Sequence, residues 1–373
     1  MSCSKIFSGE LPELTYDILK YFKNDFSTLH SCILVNRLWC RLAIPLLWEN
    51  PFSNPKKNYN FIESYLNNLN GDLKAELNEY RIEDNLFPSN TLFNYPSLLK
   101  YLNTWKILSP VYKWSENAVK TLKPEKKRDL SEIENFQRLI QILFYKLIID
   151  NDANLHTLEI EIHCGTRNSY FNNILELLLQ NPNFIIHNVK NLNFYIRDEF
   201  YRDQIVYLLF DLIENMKQSL NYLTISVAGC ENCIESSSIV LQNLGQVLPF
   251  KLEYLNLNLH IKMSDFEVFL KNSQDTFIKK LLINNLEGQD FLPYIKEYIM
   301  KKKRVKYLAI MHSFESTSDD ENYDYKELAS LKDEVEEFKL YDIKVQRLYS
   351  LLISFYEFTR EYFAETSDFH KIC

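Results

Sequence analysis

LEYLNLNL, residues 252–259, puts apolar side chains at its first, fourth, sixth and eighth positions. That alternation describes a strand with one buried face. Working outward, LNYLTISV from Leu220 and IKKLLINN from Ile278 share the first, fourth and sixth positions. So do LHTLEIEI from Leu155, VKNLNFYI from Val189, VKYLAIMH from Val305 and VEEFKLYD from Val335, and the seven starts lie 26–34 residues apart. Helical patterns fall between them. Ile205, Leu208, Leu209, Leu212 and Met216 make one, Phe291, Ile295 and Ile299 another, and Ser264 with Glu267 reads as the capping box of a third. A strand and a helix in every repeat, with no distant partner needed, describes an α/β solenoid of about seven strand-helix units. A doubly wound parallel sheet also alternates strand and helix. Near-equal spacing favours the solenoid.

The N-terminal stretch LPELTYDILKYFKNDFSTLHSCILVNRLWCRLAIPLLWEN, residues 11–50, reads as three short helices. Pro12 suits a first helical turn, where its missing N–H costs nothing. Leu14, Ile18 and Phe22 follow at helical spacing, and Asn24-Asp25 offers a stop and a new N-cap. Leu29, Ile33 and Asn36 share one side of the second helix. Pro45 is expected to end or kink the third. These residues resemble an F-box: Leu11-Pro12 opens the motif, VNRLW (35–39) and Leu47-Trp48 close it, and Phe26 and Asn36 depart from the usual residues. The repeats, less specifically, resemble a divergent leucine-rich-repeat array of the kind found behind fungal F-boxes. That family's Asn or Cys at the ninth position is replaced here by His163, Arg197, Ala228, His260, Leu286, Ser313 and Ile343.

The expected organisation is an F-box at 8–50, a helical or irregular linker region at 51–130 and the solenoid with helical caps at 131–373. In the linker, 61–80 is expected to be helical with a break at Asn70-Gly71, and 97–105 helical again. PFSNPKKN (51–58) and KPEKKR (123–128) read as loops. A helix from Ser131 is expected to cap the first repeat strand. STSDDENYDY (316–325) is expected to be a mobile loop, and a last helix over 344–363 to close the far end.

The chain of 373 residues is 46% hydrophobic and 25% charged, with a net charge of −8 and a pI near 5.5. That balance argues against nucleic acid as a partner. KKKR (301–304) reads as a solvated helix end. No apolar run is long enough to span a bilayer, and the start lacks the apolar core of a signal peptide, so the cytoplasm and/or nucleus is expected. The seven cysteines are unevenly spaced, and the Cys230/Cys233 pair is expected to be free and reduced. The six glycines are too scattered for a phosphate loop, a dinucleotide fingerprint or a hydrolase elbow. His163-Cys164 and the paired Glu159 and Glu161 read as repeat-surface residues, and no cofactor or metal is expected.

The resemblance implies a non-catalytic substrate-recognition subunit of an SCF-type cullin-RING ubiquitin ligase. Its F-box would bind the Skp-type adaptor through Leu11, Pro12, Leu14, Ile18, Leu19, Phe22, Val35, Trp39 and Leu42. The array would bind an unknown protein substrate, with neither nucleic acid nor membrane involved. The alternative is a leucine-rich-repeat interaction scaffold without a ubiquitin-ligase role. In each repeat the fifth and seventh residues should face out: Glu159/Glu161, Asn193/Tyr195, Thr224/Ser226, Asn256/Asn258, Leu282/Asn284, Ala309/Met311 and Lys339/Tyr341. Target binding is therefore placed on Tyr222, Tyr254, Leu282, Tyr307, Met311 and Tyr341. The competing reading is that the final helix packs over this patch.

Overall fold

The computed structural model describes residues 11–53, 59–78, 91–122, 130–163, 169–197, 202–227, 233–286, 290–314 and 324–353. The protein is α/β and divides into two compact units, Met1–Glu159 with Asn183–Asn188, and Ile160–Pro182 with Val189–Cys373.

The first unit opens with three helices. α1 (Pro12–Lys20) begins on its proline. α2 (Phe26–Ile33) is capped by Asp25, whose carboxylate accepts the Thr28 N–H at 3.0 Å. Asn36, expected on α2, instead caps α3 (Arg37–Trp48) by accepting the Trp39 N–H at 2.9 Å. Pro45 neither ends nor breaks α3, which runs on to Trp48. One backbone bond is lost there, and the burial of Leu46, Leu47 and Trp48 holds the last turn.

A 3-10 turn at Pro51–Ser53 leads towards α4 (Tyr59–Leu66) and α5 (Gly71–Asn78), which break at Asn70-Gly71 as expected. The helix expected over 97–105 is absent. A 3-10 turn at Pro96–Leu98 precedes β1 (Tyr101–Asn103) and α6 (Thr104–Leu122). Parallel pairing of β1 with Thr157–Glu159 fixes the strand. Asn103 Oδ1 then starts α6 by accepting the N–H groups of Trp105 and Lys106, at 3.0 and 2.9 Å. α7 (Leu130–Asp150) follows, after residues 123–129, which lie outside the described residues. It belongs to this unit's core, where the Phe144 ring lies 5.5 Å from Phe52 and 5.0 Å from Tyr65. Residues 54–58 and 123–128, read as loops, lie outside the described residues.

β2 (Thr157–His163) passes from the first unit into the second. α8 (Ser169–Gln180) follows, then α9 (Pro182–Asn188), grouped mostly with the first unit. The chain then alternates through β3 (Asn191–Arg197), α10 (Arg202–Asn215), β4 (Tyr222–Val227), α11 (Cys233–Val247), β5 (Lys251–Leu259), α12 (Met263–Asn272) and β6 (Phe277–Asn285). α13 (Leu292–Ile295) continues as a π-helical turn, Lys296–Met300, before β7 (Val305–Phe314) and β8 (Asp324–Glu327). The chain ends its described course with α14 (Lys332–Leu340), β9 (Lys344–Val345) and the single turn α15 (Leu348–Leu351). In this unit the strand order runs β2 to β8 in sequence, with β9 also on β7. Pairing from β3 to β7 is parallel, and β8 is antiparallel to β7. No reversal of strand order occurs, so the doubly wound alternative is set aside.

The first, fourth and sixth residues of each repeat from Leu155 to Val305 are buried. α11 and α12 pack closely because Gly245 faces the backbone of α12: a Cβ there would meet Phe269 O at 2.8 Å. Arg304, read with its neighbours as a solvated helix end, is buried. Its guanidinium donates to the carbonyls of Leu270, Ser273 and Thr276, closing the end of α12, while Lys301 to Lys303 remain exposed.

Four further expectations are corrected. VEEFKLYD is not a seventh strand but lies largely in α14. Its first and fourth positions are three apart, a spacing that brings them to one face of a helix and to opposite faces of a strand. The sixth, Leu340, is 83% exposed and faces no core. Ser264 and Glu267 are no capping box, because α12 starts one residue earlier on Met263 with no side-chain cap; Glu267 pairs instead with Lys271 at 2.7 Å. Asp324 and Tyr325 belong to β8 rather than to a loop, and 316–323 lie outside the described residues. The expected helix over 344–363 is the short strand β9 and one helical turn as far as residue 353.

Candidate docking surfaces

In the first unit, α1 carries two apolar stripes. Thr15 and Leu19 are buried on one, and Thr15 is tied to Leu11 O by its hydroxyl at 2.9 Å. Leu11, Leu14, Ile18 and Tyr21, spaced by three, four and three residues, form the other stripe. Leu14 and Tyr21 are exposed, and Leu11 and Ile18 are half-buried. At the junction of α2 and α3, Leu34 is 76% and Val35 49% exposed. Among the nine residues expected to meet an adaptor, Leu19 and Trp39 are therefore core. Pro12, Phe22 and Leu42 are half-buried, and Leu14 and Val35 are open. Leu34 and Tyr21 were missed. A leucine just after the last turn of α2, with a polar cap following it, was the available signal for Leu34.

This unit is pinned by a buried carboxylate. Glu49 pairs with Lys23 at 2.7 Å and with Lys100, and its carbonyl accepts the N–H groups of Lys100 and Tyr101 at 3.0 and 3.1 Å. Burial alone would raise the Glu49 carboxyl, but the hydrogen bonds from Lys100 and Lys23 outweigh it and hold the group below the usual range. Burial would lower Lys23; its bond to Glu49 and the charge there raise it instead. The Glu49 contribution should be present above the unfolded carboxyl pKa and fade as pH falls through the depressed folded value. That of Lys23 should be present below the unfolded lysine pKa and fade as pH rises through its raised one. Glu49→Gln should therefore cost about 1–2 kcal/mol at neutral pH, a modest value because both lysines stay 40–42% open to water. Thermal melts from pH 7 down to 3 check this: the gap between variant and wild type should close in acid.

In the second unit, strand register builds three rows on the sheet face away from the fourth and sixth residues. Tyr222, Tyr254, Lys280 and Tyr307 form one; Asn193, Thr224, Asn256, Leu282 and Ala309 the next; Tyr195, Ser226, Asn258, Asn284 and Met311 the third. The third row is partly a hydrogen-bonded ladder. Asn284 Nδ2 donates to Asn258 Oδ1 at 2.8 Å, and Asn258 Nδ2 donates to Ser226 Oγ at 2.9 Å. Apart from its tyrosines, the apolar residues of this face are Leu282 on β6 and Ala309 and Met311 on β7. The turn-bonding amide absent from the ninth positions is found one place earlier in one repeat: Asn285 Oδ1 accepts the Ile261 N–H at 3.1 Å.

Five of the six residues expected to bind a target come together here, but not as an open patch. Tyr254, Leu282, Ala309 and Met311 form a buried cluster with Leu348 and Leu351, and Tyr222, Tyr307, Leu352 and Ile353 pack against it. The covering segment is the chain's own C-terminal turn. Tyr341 is elsewhere, just past the end of α14. Burial pushes the Tyr254 phenol up to about 12, eased by a hydrogen bond to the Ile353 backbone.

Of the remaining candidates, Cys164 and Cys230 lie outside the described residues. Cys233, at the start of α11, is disulfide-bonded rather than free, and its partner cysteine lies outside the described residues. Among the described residues, no group of three or more His, Cys, Asp or Glu is placed to hold a metal ion, and no helix is long and apolar enough to cross a membrane. No family model, no curated protein and no solved structure matches this chain.

Proposed function

We propose that the chain is a substrate-recognition subunit of an SCF-type cullin-RING ubiquitin ligase. Its N-terminal helices act as an F-box that binds a Skp-type adaptor, and its second unit acts as a leucine-rich-repeat-like array that holds a protein target. The observation that carries this reading is the outward apolar stripe of α1 behind Leu11-Pro12, together with exposed Leu34 and Val35. Apolar side chains left open on helices whose other apolar residues are buried suit a partner interface. The chain itself performs no reaction. It raises the local concentration of a target beside the ubiquitin-transfer machinery.

The test is adaptor capture by the full chain. With Leu14→Glu and Val35→Glu combined, capture should weaken by at least about tenfold, because each residue removes an exposed contact worth about 1–2 kcal/mol. The melting temperature should stay near that of wild type. A wild-type chain that fails to bind the adaptor, where an established F-box protein succeeds, would leave the interaction-scaffold reading in its place.

A further inference from the structure

The apolar half of the second unit's strand face holds a ligand-like occupant, the segment from Gln346 to Ile353. We infer that this groove is a docking site for a partner's helical turn carrying two leucines three residues apart behind a basic residue. In the free chain, Gln346–Ile353 fills it as a displaceable internal ligand. The inference rests on reading the second unit as the target-binding part.

The groove is built on the sheet. Its floor, Leu282, Ala309 and Met311, belongs to β6 and β7, and Tyr254 of β5 walls one side. The backbone of these strands is held by the continuous ladder of the sheet. Leu348 and Leu351 enter it from one face of a single turn. Tyr349, between them in sequence, is 69% exposed, and Ser350 is exposed as well. The recognised chemistry is therefore Leu-x-x-Leu followed by a further apolar residue, with the two central positions free to vary. Glu327 adds a polar requirement. Its buried carboxylate accepts the Leu348 N–H at 3.2 Å and lies 3.9 Å from Arg347 Nε, so it faces the start of the turn and favours a cation there.

The occupant is lightly tethered. β9 pairs with β7 over only two residues, Gln346 N–H reaches Leu308 O at 2.9 Å, and Tyr254 bonds the Ile353 backbone. A four-residue helix has no stability of its own and is held by its packing and these few bonds, with the one from Leu348 N–H to Glu327. Such a segment opens locally at far lower cost than the strands beneath it.

The experiment uses the full chain and a fluorescent peptide of residues 344–353. Leu348→Ser with Leu351→Ser empties the groove, and the peptide should bind this variant about tenfold or more tightly than wild type, where the tethered segment competes. The same peptide with both leucines replaced by serine should not bind. No saturable binding to the folded variant, or equal binding to both chains, would overturn the proposal. If the variant does not fold, hydrogen exchange on the wild-type chain decides. Excess peptide should strip protection from 346–352 while β6 and β7 keep theirs, and no change overturns the idea. A variant that dimerises through this segment would assign the groove to a second copy and overturn the partner assignment. Adaptor capture is read separately on the same chains, so a failed groove and a failed ligase reading remain distinguishable.

Discussion

Leu282→Glu should unfold the second unit at denaturant concentrations where wild type is native. The leucine is 0% exposed and sits among Tyr254, Ala309, Met311, Leu348 and Leu351. Removing its side chain alone costs about 2–5 kcal/mol. A carboxylate in its place finds no cation in that cluster and adds several kcal/mol more, or takes up a proton. The total rivals the whole stability of an ordinary domain, about 5–15 kcal/mol. Urea unfolding followed by circular dichroism checks this, with Lys306→Gln, exposed on β7, as the control expected within about 0.5 kcal/mol of wild type. A Leu282→Glu chain as stable as wild type would mean that the C-terminal turn does not cover the site.

Trp48→Ala should be the most damaging single change in the first unit, at about 3–5 kcal/mol. Its ring lies 4.7 Å from Phe61, 5.4 Å from Tyr65 and stacks on Tyr95 at 4.0 Å. Trp48→Phe should lose less, since it keeps part of the aromatic contact. The same contacts show that α1 to α3 share a core with residues far beyond 50. Residues 1–50 alone should therefore melt without cooperativity, and so should a fragment beginning at Ser131, which strands Phe144 without Phe52 and Tyr65. Adaptor binding is best measured on the intact chain for this reason.

The strands from β2 to β7 were legible because apolar fourth and sixth positions recur in each repeat, even where β6 and β7 run apolar without alternation. The caps were half legible. Asp25 was read correctly, whereas Asn36 was assigned to α2, because a polar residue after Ile33 suits either a helix face or the next cap. β1 escaped because three residues carry no usable period; its existence depends on the distant Thr157–Glu159. The adaptor-facing list mixed core and surface for a related reason. An apolar residue on an amphipathic helix announces burial, but not whether the cover is the same chain or another. Leu19 and Trp39 proved to be inside, and Leu34 outside. The apolar patch around Leu282 was likewise visible as a pattern. Its cover was legible as the competing reading, a final helix packed over the patch; the covering element is the single turn Leu348–Leu351 rather than a long helix.

The two short strands on β7 have a consequence for how long this array can be. An open parallel sheet ends in a row of unpaired backbone groups that any further strand could extend. Here β8 takes the stretch from Met311 to Phe314 in the opposite direction, and β9 takes Tyr307 and Leu308. That edge is thus shared between two stubs that no further parallel strand could follow in register. Growth by duplication would have to occur inside the array, where a copied strand and helix would leave the terminus untouched. The stop signal is carried by the residues after β7, and the number of repeats is free to change without it.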